Sequence, residues 1–160
     1  MSIVTEGRVA QAAAETDFAV ADCGIAAGTP VLTLAGAVAV EDLTPGTRII
    51  TRDGARQLTG LRQVAPSRMV RVSASAIGVE QPEEDMVIGA ATPILIRDWR
   101  AKALKGCDQA IIRADRLIDG EYIRHETGTS PTLYALEFDA PAVIYAGGLE
   151  LALAPARQPA

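Results

Sequence analysis

The sequence predicts an all-β domain, and three observations carry that expectation. Its apolar residues gather in short runs, near the usual strand length, rather than in helical stripes. Fourteen glycines and nine prolines break those runs with turns. Only two Phe, three Tyr and one Trp are present, so Ala, Val, Ile and Leu must fill the core, with Trp99 as its largest candidate anchor. At 160 residues, 49% hydrophobic and 22% charged, the chain has the size and composition of one packed globular domain.

Residues 1–22 are Ala-rich and polar without an apolar stripe, and read as an N-terminal tail in which Gly7 to Glu15 can form a short helix. From Cys23 onward, strands are expected at Val31–Leu34, Arg48–Arg52, Met69–Ala74, Met86–Ile88, Pro93–Arg97, Ala110–Arg113, Tyr134–Phe138 and Ala142–Tyr145. Asp53-Gly54 between Ile49-Ile50-Thr51 and a polar strand predicts a hairpin with positive φ at the glycine, and Thr44-Pro45-Gly46 a second turn. In Met69–Ala74, Val70 and Val72 alternate with Arg71 and Ser73, which predicts a strand buried on one face. The one internal helix is expected at Trp99–Lys105, stopped by Gly106. Gln81–Asp85 reads as an exposed acidic loop. The domain is expected to span residues 23–153, with a C-terminal tail at 154–160.

Fifteen basic against twenty acidic side chains give a net charge of -5, the wrong sign for tracking a phosphate backbone, so no nucleic-acid partner is expected. Cys23, Cys107 and His125 fall short of the ligand set of a structural zinc, and no metal or other cofactor is expected. A Cys23–Cys107 disulfide is possible by count alone, but a domain this large needs no staple. Glu6, Glu15, Asp17 and Asp22 interrupt any leader-like apolar run, which predicts a cytoplasmic protein. The longest uncharged run, Cys23 to Val40, holds Gly24, Gly28, Pro30 and Gly36 and reads as strand and turn rather than a membrane span.

Thr29-Pro30-Val31-Leu32 recurs as Thr92-Pro93-Ile94-Leu95, and each is followed by an acidic-then-leucine element, Glu41-Asp42-Leu43 and Asp115-Arg116-Leu117. Coincidence is the alternative to an internal repeat. The block Cys23-Gly24-Ile25-Ala26-Ala27-Gly28-Thr29-Pro30-Val31-Leu32-Thr33, followed by Val40-Glu41-Asp42-Leu43-Thr44-Pro45-Gly46 and Ile49-Ile50-Thr51-Arg52-Asp53-Gly54, resembles the opening of the Hint domain of hedgehog proteins and inteins. Met86-Val87-Ile88, Ile94 to Ala101 (with Arg97-Asp98-Trp99-Arg100) and Tyr134 to Asp139 leading to Ala146-Gly147-Gly148 agree in order with its bacterial branch. The likeness covers roughly residues 22–153 and implies a flattened, pseudo-twofold horseshoe of β-strands.

The resemblance also implies a chemistry. The Cys23 thiolate would attack the Asp22 carbonyl carbon and convert the peptide to a thioester, while a histidine in the middle block helps expel the amine. Here the family's histidine falls on Thr92, the usual late histidine on Pro141, and a common Phe on Gly24; Asp139 lies near the family's late acidic residue. Threonine cannot carry a proton near neutral pH, which removes a contribution on the order of 10²–10⁴-fold. The site is therefore expected to be vestigial, with Cys23 kept as a small half-buried apolar residue. The preferred reading is a degenerate Hint domain acting as a protein-interaction or assembly module through residues 1–22. Self-cleavage at Asp22-Cys23 by an N–S acyl shift is the alternative. His125, in polar surroundings, reads as a solvated loop residue rather than a recruited proton carrier. Arg97, Trp99 and Arg100 form a recognition patch only if the Trp is not a core anchor.

Overall fold

The computed structural model describes residues 22–127 and 131–153; the expected tails, apart from Asp22, lie outside them. Within the described residues, β1 (Ile25–Ala26), β7 (Met69–Val72), β8 (Met86–Gly89), β11 (Ile123–His125), β12 (Leu133–Glu137) and β6 (Gly60–Val64) form one sheet in the order β11-β7-β8-β1-β12-β6. A second sheet runs β10 (Ala110–Arg113), β9 (Pro93–Ile96), β14 (Leu149–Leu153), β13 (Ala142–Ala146), β2 (Pro30–Thr33), β4 (Arg48–Thr51) and β5 (Gly54–Gln57), with β3 (Gly36–Ala39) also paired to β2. Every pairing is antiparallel. The all-β expectation holds.

The repeat is real. Val31 and Ile94 occupy matching places, paired with Ala146 and Leu151 of the β13–β14 hairpin. Thr29 N–H donates to Ala26 O and Thr92 N–H to Gly89 O; Val40 N–H returns to Thr29 O and Ala114 N–H to Thr92 O. Each repeat then enters a single 3-10 turn, Val40–Asp42 and Ala114–Leu117. The first sheet is palindromic about the β1–β8 pair, where Ile25 faces Ile88, so β7 matches β12 and β11 matches β6. Because β7 pairs with β8, and β6 with β12, each half lends strands to the other.

The turns explain several strand ends. Thr33 Oγ1 donates to Gly36 O and accepts from Ala35 N–H; Thr51 Oγ1 does the same with Gly54 O and Asp53 N–H. Both glycines have positive φ, 99° and 102°, as expected at Gly54. Gly147 and Gly148, at φ 59° and 94°, make the two-residue turn of β13–β14. The helix α1 (Trp99–Lys105) begins where Asp98 accepts from Arg100 N–H, and it ends at Gly106 in the left-handed region.

The core is aliphatic, as composition requires, and Phe138 is its one fully buried aromatic among the described residues. Trp99 is not its anchor. It is 70% exposed, because the short helix turns only Ala101 inward, and the Arg100 guanidinium sits 4.9 Å from the centroid of the indole ring. Two other expectations fail locally. His125 lies on the edge strand β11 rather than in a loop. Strands β1 and β11, which are very short, β3 and β6, which are rich in small or polar residues, and β14 were not expected. Gln81–Asp85 is a loop exposed except for Pro82.

The core assignment is tested by stability in denaturant. Phe138→Ala should cost about 3–5 kcal/mol. Trp99→Ala should stay within about 0.5 kcal/mol, as an exposed side chain does; a larger loss would show that the indole is buried.

Candidate functional site

Cys23 lies just before β1, where that strand enters the centre of the first sheet, and the site forms between it and the turn joining β8 to β9. Strand β8 is buried along its whole length, and the turn that follows is built from Gly89-Ala90-Ala91-Thr92. These small residues let the incoming chain lie against it. A Cβ on Gly89 would stand 1.9 Å from the Asp22 carbonyl oxygen and 2.5 Å from its carbon. That carbonyl accepts from Ala91 N–H at 3.0 Å, and Gly89 N–H donates to Gly24 O at 3.0 Å.

The Cys23 side chain is half-buried, and its Sγ donates to Ala91 O at 3.4 Å. Burial pushes its pKa from 9.0 to about 11; the Arg113 guanidinium lowers it and the Asp22 carboxylate raises it. The thiol is thus protonated at neutral pH. Thr92 is 1% exposed, and its hydroxyl accepts from Gly24 N–H at 3.1 Å and donates to Gly24 O at 3.3 Å. Residue 92 therefore addresses the nitrogen of the Cys23–Gly24 peptide, one bond beyond the Asp22–Cys23 bond that an acyl shift would break.

Asp22 was missed as a site residue. It is 1% exposed, and its Oδ1 accepts from both Ser67 N–H and Ser67 Oγ at 3.0 Å. Oδ2 makes no hydrogen bond among the described residues. Arg68 Nη2 stands 3.6 Å from Asp22 Oδ2 and 3.6 Å from Asp115 Oδ2, and Arg113 Nη2 stands 2.9 Å from Asp115 Oδ2. The only hint in the sequence was the small-residue run Gly89-Ala90-Ala91.

The other candidates sit apart. Asp139 is exposed in the bend between β12 and β13, and Pro141 is exposed beside it. His125 faces Val70, which faces Ile88, which faces Ile25. Three strand spacings of about 4.8 Å separate it from β1. Cys107 is exposed, with its thiol near Lys105 O, and neither cysteine is in a disulfide. Among the described residues no cluster of His, Cys, Asp and Glu is suited to a metal ion, and no helix is long and apolar enough to cross a membrane.

The fold is shared with solved intein structures. A bacterial intein-like domain from Clostridium thermocellum superposes with a TM-score of 0.58 at 14% identity, over 81% of this chain and 96% of that one. The gp41-1 intein gives 0.55 at 10% identity, over 81% and 97%. The MchDnaB-1 intein gives 0.52 at 16% identity, over 80% and 98%. No curated protein matches in sequence at a significant level. The family model for the Hint domain matches residues 23–152, and the chain belongs to that family.

The state of the thiol is directly measurable. At pH 8, Cys23 in the folded chain should react with iodoacetamide about a hundredfold more slowly than a thiol of pKa 9.0, since its own value is about 11. Its rate should keep climbing until about pH 11. Peptide mapping of the alkylated protein reads both; a rate already level at pH 9 would mean that burial does not control the thiol.

Proposed function

We propose that this Hint domain no longer processes itself through Cys23 and serves as a protein-interaction or assembly module that presents residues 1–21 to a protein partner in the cytoplasm. The observation that carries the reading is the contact of Thr92 with Gly24. The group at the family's histidine position is a hydroxyl that cannot carry a proton near neutral pH, and it is committed to the wrong peptide. A protonated Cys23 thiol adds to this. The anchoring of Asp22 supports a holding role: a buried carboxylate fixed by Ser67 and a carbonyl fixed by Ala91 N–H tie the start of the fold to the sheet.

Self-cleavage at Asp22-Cys23 by an N–S acyl shift is the second reading. One observation favours it, the Ala91 N–H on the Asp22 carbonyl, which is the donor that a developing oxyanion requires. It does not help the leaving nitrogen.

Two experiments separate the readings. The wild-type chain should keep its intact mass through prolonged incubation at neutral pH, with or without added thiol. Thr92→His should not create cleavage, since an imidazole there would face the Gly24 nitrogen. A thiol-accelerated fragment beginning at Cys23 in either protein would establish processing. Deleting residues 1–21 should leave the domain folded and weaken co-purification with its partner; undiminished association would move the contact surface to the β domain.

A further inference from the structure

The least explained group in the molecule is the Asp22 carboxyl. It is buried to 1%, one oxygen is held twice by Ser67, and the other makes no hydrogen bond among the described residues. It belongs to the same residue whose main-chain carbonyl is pressed against Gly89 and held by Ala91 N–H. Along the chain that carbonyl carbon lies between two nucleophilic side chains, the Asp22 carboxyl of its own residue and the Cys23 thiol of the next. We propose that Asp22 is a latent nucleophile: in mildly acidic solution its side-chain carboxyl attacks its own main-chain carbonyl carbon and severs the Asp22–Cys23 bond without a thioester. This goes beyond the reading above, because it uses none of the Cys23 chemistry.

The step balances within the residue. Oδ2 bonds to the carbonyl carbon and closes a five-membered cyclic anhydride, while the bond from that carbon to the Cys23 nitrogen breaks. The proton of the carboxylic acid passes to the departing nitrogen and gives the free amine of Cys23. Water then opens the anhydride and restores the side-chain carboxyl together with a new α-carboxyl. The acid form is required because the ionised carboxylate can attack but has no proton to give. The thiol route lacked this element, a proton source at the leaving nitrogen.

The surroundings favour the geometry. Ser67 fixes the carboxyl through Oδ1, while Oδ2 makes no hydrogen bond among the described residues and stands 3.6 Å from Arg68 Nη2. Ala91 N–H already points at the oxygen on which charge develops. Among the described residues, the charged groups around the carboxyl are Arg68 from the β6–β7 connection and, sharing that guanidinium, Asp115 from the second 3-10 turn with Arg113 of β10 behind it; the Cys23 thiol lies beside them. Because the acid form supplies the proton that the leaving nitrogen needs, cleavage should quicken as the pH falls.

The test uses the full chain at about pH 4.5, with the fold monitored by circular dichroism and fragments read by intact mass. Fragments 1–22 and 23–160 should appear at least about tenfold faster than from the same chain in urea at that pH, where the carboxyl is not held in place. They should persist in Cys23→Ala and vanish in Asp22→Ala. In water enriched in oxygen-18, the released 1–22 fragment should carry one labelled oxygen, divided across the population between the α-carboxyl and the side-chain carboxyl of Asp22, because an anhydride opens at either carbonyl; simple hydrolysis labels the α-carboxyl alone. That pattern decides the matter in wild type if Asp22→Ala fails to fold. Absence of fragments from the folded chain, or label confined to the α-carboxyl, would overturn the inference and leave the interaction-module reading intact. Fragments that disappear in Cys23→Ala would overturn both.

Discussion

The structure at the chain entry depends on residue 89 having no side chain. Strand β8 runs through the middle of the first sheet with both faces covered, so nothing around it can give way. Only because Gly89 lacks a Cβ can the Asp22 carbonyl lie against its backbone, with Gly24 O receiving the Gly89 N–H. From that contact follow the pairing of Ile25 with Ile88, the placement of Ala91 N–H on the Asp22 carbonyl, and the meeting of Thr92 with Gly24. A strand of two residues could not hold itself in a sheet by its own propensity. It is held because β8 and β12 grip it from both sides and the turn before Thr92 closes over its start.

The site is also where the pseudo-twofold breaks. Thr29 and Thr92 share the same backbone hydrogen bonds, yet only Thr92 has a chain entry laid across the turn before it. The corresponding turn in the first half meets Glu41, whose carboxylate accepts from Gly28 N–H at 2.7 Å; that bond keeps its pKa below the usual carboxylate range. One duplicated frame thus supports two environments. In the first, a carboxylate is exposed and bound to a backbone donor. In the second, a thiol and a carboxyl are taken out of water beside a peptide bond.

Much of the frame was legible in the sequence, and the reason is period and punctuation. Thr-Pro followed by a short aliphatic run marked β2 and β9, Asp53-Gly54 marked a hairpin, and Gly106 marked the end of α1. What escaped were features decided by tertiary contact. The polar strand β11 exists because Val70 and Val72 of β7 offer it an edge. Trp99 is outside because the inward position of its helix falls on Ala101. Asp22 was grouped with the tail because a charged residue beside an Ala-rich segment reads as solvated, and no local pattern announces a carboxyl that Ser67 and Arg68 wait to receive from forty-odd positions away. Cys23 and Thr92 were legible as a pair, but not the one-residue offset that puts Gly24 opposite Thr92, since that depends on how the entry strand docks.

That offset carries a structural consequence for position 24. Were a side chain to stand where residue 92 can reach its amide, it would have to project from Gly24, at φ 157° and with a Cβ only 2.8 Å from Val64 Cγ2 and 3.2 Å from Leu133 Cβ. The packing of β1 between β12 and β8 therefore excludes a nucleophile from the one place that residue 92 addresses. The nucleophile that the chain does carry lies one residue upstream, where burial holds its proton. The Thr92 hydroxyl and the Cys23 thiol therefore address different peptide bonds. That separation is set by the register of the entry strand, and the same packing that holds the proton on the thiol secures the hold on Asp22.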